Sequence, residues 1–180
     1  MSTSRLLKGL IFAGVGLMAG AALVAGGLIA WLTITDPFGG GPHPSDAAML
    51  AQFAQVRPAL EELVVMIGQD GSIQHLAPDF TRPDPAPITA ERLADYRQRL
   101  QRAGVAHGFS HYGDAIEFIV STRGLAISGS GKSFVHAATA DADATVVDGD
   151  LDAAVNALTD KDVLLQRKIG GDWWLQLDMR

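Results

Sequence analysis

From Gly9 to Leu32 the chain carries no charged side chain, and from Ser45 onward its apolar positions follow first a helical and then a strand period. An apolar run needs roughly 20 residues to cross a hydrocarbon core of about 30 Å as a helix. The first run therefore predicts a transmembrane anchor over residues 9–35. Arg5 and Lys8 precede it and Asp36 is the first charge after it, so the positive-inside rule puts residues 1–8 in the cytoplasm and 36–180 outside. A cleaved signal peptide is the alternative, because Ala19-Gly20-Ala21 offers small residues for cleavage. Against it, the apolar run continues from Ala22 through Leu32.

Prolines and glycines over 36–44 break any continuing helix and read as a linker. Beyond it, Leu50, Phe53, Val56, Leu60, Leu63, Val64 and Ile67 recur close to every 3.6 residues. They predict a helix capped by Ser45, ended at Asp70-Gly71, and kinked or divided by Pro58 near Val56-Arg57. Pro78, Pro83, Pro85 and Pro87 predict irregular chain up to Ile88. Thr89 then opens a second helix, with Leu93, Tyr96, Leu100 and Ala103 inward, Arg92, Arg97, Arg99 and Arg102 on a solvated face, and Gly104 as its stop.

From Ala115 the period becomes that of strands. Ile116–Val120 reads as one strand, turned back by Arg123-Gly124 into Leu125–Ser128. In a last hairpin, Val163, Leu165, Arg167 and Ile169 oppose Met179, Leu177, Leu175 and Trp173 across a three-residue loop, Gly170 to Asp172. That register turns Trp173 inward and leaves Trp174 beside Gln176 and Asp178 on the opposite, open face. Together these elements predict an α+β class. An N-terminal transmembrane helix precedes a small domain, residues 45–180, of two or three helices on one face of an antiparallel sheet of about four strands.

Composition narrows the partners. The net charge is −6 and no basic run lies beyond the N-terminal flank, which excludes nucleic acid. The absence of cysteine excludes disulfides and a lipid-bearing cysteine, so packing must supply the stability. Within the apolar run, Ala13, Gly16, Gly20 and Gly27 form a small-residue face on which two helices could self-associate.

Three motifs carry candidate chemistry. Ala126 to Ser133 matches a relaxed phosphate loop, with Lys132 and Ser133 in the lysine and magnesium-holding positions, but too little chain follows for a parallel nucleotide-binding sheet. His107, His111 and His136 are candidate metal ligands or acid–base groups, although glycines at 104, 108 and 113 argue against the helix their spacing needs. Asp148, Asp150 and Asp152 begin like a calcium loop, yet Ala153 and Thr159 stand where glycine and glutamate belong, which favours a solvated loop.

Gly108-Phe109-Ser110, the run from Phe118 to Leu125 with Gly129-Ser130-Gly131-Lys132, and Gly171-Asp172-Trp173-Trp174-Leu175 resemble a group of proteobacterial proteins that pair a membrane anchor with an outer domain. The likeness covers most of residues 50–180 and brings no activity with it. The expectation is a single-pass inner-membrane protein with a periplasmic domain, non-catalytic, without cofactor or metal. Besides the lipid bilayer, its partner is another envelope protein met through Trp174 and Tyr112, or a second copy met through the anchor. An envelope enzyme or metal-dependent protein using the histidines is the alternative.

Overall fold

The computed structural model describes residues 41–105, 107–125 and 128–180. The expected anchor over 9–35, with Ala13, Gly16, Gly20 and Gly27, lies outside them. Among the described residues no helix is long and apolar enough to cross a membrane. The fold class and the membrane assignment are corrected accordingly: the described residues form three helices on an eight-stranded mixed sheet, with no membrane-spanning helix among them.

Helix α1 spans Asp46–Asp70. Ser45 caps it by accepting the Ala48 N–H at 3.2 Å, and Gly71 ends it in the left-handed region at φ 52°. Pro58 lies inside this continuous helix. The carbonyl it frees is that of Ala54, and both residues are exposed, so water can take the lost partner's place. Helix α2 spans Ala90–Arg102, capped by Thr89 accepting from the Arg92 N–H. Three of its four arginines are not simply solvated, while Arg102 is exposed. Arg92 bonds Asp70 at 2.8 Å, Arg97 donates to the Ala77 carbonyl at 3.4 Å, and Arg99 bridges Asp95 and Glu62. Helix α3, Leu151–Ala157, is capped by Asp150.

The strands are β1 (His75–Leu76), β2 (Thr81–Arg82), β3 (Phe109–Tyr112), β4 (Ala115–Leu125), β5 (Ser128–His136), β6 (Thr145–Val146), β7 (Leu164–Gly170) and β8 (Trp173–Asp178). They lie in the order β2-β1-β3-β4-β5-β8-β7-β6. Each pair is antiparallel except β6 with β7. The proline-rich segment is not wholly irregular: β1 precedes Pro78 and pairs with β3, and β2, between Pro78 and Pro83, adds to β1 as a two-residue edge strand. Gly108, at φ 91°, lets β3 approach β1: a Cβ there would sit 1.7 Å from the Leu76 carbonyl oxygen. Strand β4 runs straight through Arg123-Gly124, with its irregularity between Ile119 and Ser121.

The last hairpin pairs Leu165 with Leu177 and Arg167 with Leu175, the expected register, but a bulge between Lys168 and Gly170 brings Trp173 opposite Gly170. Gly170 and Gly171 take the positive φ angles this needs, 131° and 57°. One face of the sheet meets the helices. Phe53 of α1 lies 5.3 Å from both Phe134 and Trp173, and Tyr96 of α2 lies 5.8 Å from Phe109. Side chains of this size each contribute about 1.5–3 kcal/mol on full burial, so this face holds the fold together.

Candidate functional site

The other face of the sheet is not apolar. Strand alternation puts Ser110 and Tyr112 (β3), Glu117 (β4), Ser133 and Val135 (β5), Trp174 and Gln176 (β8) and Leu164 and Gln166 (β7) on the side away from the helices. Cross-strand hydrogen bonds join four of them in a row. Ser133 Oγ donates to Glu117 Oε1 at 2.7 Å, Gln176 Nε2 donates to the same oxygen at 2.9 Å, and Gln166 Nε2 donates to Gln176 Oε1 at 2.6 Å. The Asp141 backbone N–H closes the row on Gln166 Oε1 at 2.8 Å. Glu117 Oε2 accepts no hydrogen bond from the described residues.

The loop from Ala137 to Ala144 rises beside this row and makes the face concave. It is fastened by Trp174 Nε1 donating to the Ala137 carbonyl at 3.0 Å as well as by the bond to Asp141. The resulting cavity, about 530 Å³, is lined by Glu117, Gln166, Gln176, Val135 and Leu164, with Tyr112 and Asp114 at one end and Asp178 and Arg180 at the other. That volume suits a small-molecule site, which typically occupies about 300–1,000 Å³. Burial pushes the Glu117 carboxyl up from its ordinary range; nearby Asp178 adds to the rise, while the Ser133 and Gln176 hydrogen bonds and Arg180 oppose it.

A second buried charge sits on the helix side. Lys132, wholly buried, lies on β5 and not at the start of a helix, the context a phosphate loop requires. Its ammonium donates to the Pro44 carbonyl at 2.9 Å and to both Asp152 oxygens at 2.8 Å. Asp46 Oδ1 lies 2.7 Å from the same ammonium as an ion pair, outside hydrogen-bond geometry. Asp46 Oδ2 accepts the Leu151 N–H at 2.7 Å, with Arg167 3.8 Å away. Asp46, Asp150 and Asp152 bring their carboxylates within 4.8 Å of one another, a candidate cation site in which the Lys132 ammonium is already the cation. The Asp148–Asp152 stretch is therefore partly built into the fold, Asp150 as a helix cap and Asp152 as a counter-ion.

Next to this cluster, His43 bridges two hydroxyls, Ser121 Oγ on Nδ1 and Ser130 Oγ on Nε2, each at 2.8 Å. Burial first, then Arg123 and Lys132, lower its pKa to about 4. An imidazole so depressed stays neutral at pH 7 and ties the start of the domain to the β4–β5 hairpin.

The structure divides the two residues expected to meet a partner. Tyr112 is 63 % exposed and lies at the cavity's edge. Trp174 is 8 % exposed, with Lys168 Nζ 4.2 Å from its ring centroid, and supports the cavity wall from behind. The histidines do not converge. His111 and His136 each pair with Ile116 from opposite sides, two strand spacings apart, and His107 bonds Thr122 at 3.3 Å. Among the described residues no metal-competent group of three includes a histidine. From sequence, Glu117, Gln166 and Gln176 have no assigned role, and Ser133 has only a magnesium-holding position in a phosphate loop. Their signal was a polar residue set between apolar ones, as in Ile116-Glu117-Phe118 and Leu175-Gln176-Leu177. No protein family, curated protein or solved structure matches the chain.

Proposed function

We propose that the domain is a non-catalytic binding module whose ligand seats against the concave face of the sheet, around Glu117. The observation that carries this reading is a carboxyl group oriented by two neutral donors on one oxygen while its other oxygen accepts no hydrogen bond from the described residues, at the wall of a cavity of small-molecule size. Such an arrangement is organised before any ligand arrives, which lowers the cost of ordering it on binding. Recognition fits better than group transfer, because Ser133 already gives its proton to Glu117 and no imidazole lines the cavity. Tyr112 supplies an aromatic contact at the edge, the part of the sequence-derived partner surface that this reading keeps.

A fragment screen followed by amide chemical shifts of the full chain tests the assignment. Hits should gather on Glu117, Val135, Ala137 and Gln176. Hits gathering instead in the apolar cavity of about 340 Å³ between Leu76, Leu100 and Val105 would move the binding site to the helix side of the molecule.

A further inference from the structure

Resting on that reading, we propose that the Glu117 cavity accepts a small organic cation, an ammonium or guanidinium group on a short apolar stem. The direction of the hydrogen-bonded row is the first argument. The Asp141 backbone N–H can only donate, so Gln166 must turn its oxygen toward it and its nitrogen toward Gln176. Gln176 in turn presents its oxygen to Gln166 and its nitrogen to Glu117. Both amide orientations are thereby fixed, and every step of the row directs a donor toward Glu117. What the row offers at its end is an acceptor, Oε2, and a group with only donors is its complement.

Charge complementarity is the second argument. Asp114, Glu117, Asp141 and Asp178 line the cavity against one cation, Arg180. That arginine is already committed to Asp178 through Nε at 3.1 Å and Nη2 at 3.2 Å. An entering cation therefore meets an excess of carboxyl groups that no lining residue neutralises. Val135, Ala137, Ala140 and Leu164 supply apolar wall for a stem, and the Tyr112 ring at the edge can face a second positive group.

The groups facing Glu117 are Asp178 and Arg180 at the end of β8, Asp114 and Tyr112 at the β3–β4 turn, Asp141 on the loop, the neutral Ser133, Gln176 and Gln166, and on β3 Ser110, whose hydroxyl is bonded to His75 at 2.8 Å. In the empty cavity burial favours the protonated carboxyl; a cation beside it favours the charged form. Binding should thus release protons and tighten as pH rises through the raised Glu117 value.

The experiment is calorimetric titration of the full chain with agmatine, with 1-pentanol as neutral and glutarate as anionic comparator, and amide shifts recorded in parallel. Agmatine should bind saturably, more tightly at higher pH, with an enthalpy that depends on the buffer's ionisation. Glu117→Gln keeps an acceptor for Ser133 and Gln176 but removes the charge, and should weaken agmatine about tenfold or more. Ala138→Phe, at an exposed lining position, should weaken it without altering any charge. The inference fails if agmatine binds no better than 1-pentanol, if neither variant changes its affinity, or if a lysine-bearing peptide binds there more tightly than free agmatine. Should 1-pentanol or glutarate move the Gln176 and Ala137 amides while agmatine does not, the ligand class is wrong and the binding cavity stands. Should none of the three move them, both readings fall.

Discussion

Lys132 and Glu117 sit on neighbouring strands and point to opposite sides of one sheet, Lys132 wholly buried and Glu117 half-buried at a cavity wall. Lys132 is enclosed by two carboxylates and a carbonyl, all within 3 Å of its ammonium. Glu117 meets only neutral donors, and one of its oxygens is left without a hydrogen bond from the described residues. A charge neutralised within the protein contributes to which fold forms; a charge left for an outside partner contributes to what the fold can hold. The same sheet does both because strand alternation sends adjacent residues, Lys132 and Ser133 among them, to different environments.

The comparison breaks most easily at Lys132. Lys132→Met leaves buried Asp46 with only the more distant Arg167, 3.8 Å away, to balance it and should cost about 3 kcal/mol in urea unfolding. Lys132→Met combined with Asp46→Asn removes both charges and should lose less than the single substitution. A single variant within about 1 kcal/mol of wild type would mean that the cluster is solvated and that Lys132 is free for other work.

The two tryptophans sharpen the contrast between faces. Trp173→Ala empties the helix-covered core and should cost about 3–5 kcal/mol. Trp174→Ala loses packing on the far face and the bond to Ala137, and should cost about 2 kcal/mol, with the amides of 137–141 shifting as the cavity wall loosens. A larger loss at Trp174 would make the far face the principal core.

Titration separates the faces more finely. For Glu117 the folded pKa is raised above its ordinary 4.5, so folding favours the protonated form, and its contribution is present below that value and lost as pH rises through the raised one. Glu117→Gln should flatten the fall of stability with pH over that window. His43 has the opposite sign: its folded value of about 4 lies below 6.5, so its contribution is complete above 6.5 and lost as pH falls toward 4. His43→Ala should remove that acid-side loss and cost about 1 kcal/mol at pH 7, the smallest of these effects.

Where a local rule decided the outcome, the sequence was informative. Ser45, Gly71 and Thr89 cap as their chemistry requires, and the hairpin register followed from matching Leu165 and Arg167 to Leu177 and Leu175. Where tertiary context decided, it was not. Ser128–His136 has little alternation and four small residues at its start, so nothing local marks it as the strand between β4 and β8. The ring clash that predicts a kink or division at Pro58 is a local rule, whereas the exposure of Ala54 and Pro58 that lets α1 run on is a property of the packed helix. The Lys132 cluster joins residues 44, 46, 132 and 152, and the Glu117 row joins 117, 133, 141, 166 and 176. Neither set is visible until the sheet order is known. Tyr112 could be flagged as an aromatic near a turn; that it edges a cavity depends on the loop after β5.

The fastening of His43 and Pro44 has a mechanical consequence. Force applied to the chain ahead of Pro42 would not reach the first turn of α1 directly. It would first meet His43, held to Ser121 and Ser130, and Pro44, held to Lys132, and so be delivered to β4 and β5 in the middle of the sheet. The chain enters the domain through an anchorage that loads central strands, where pulling must break several contacts together, and α1 is sheltered from being peeled away from its capped end.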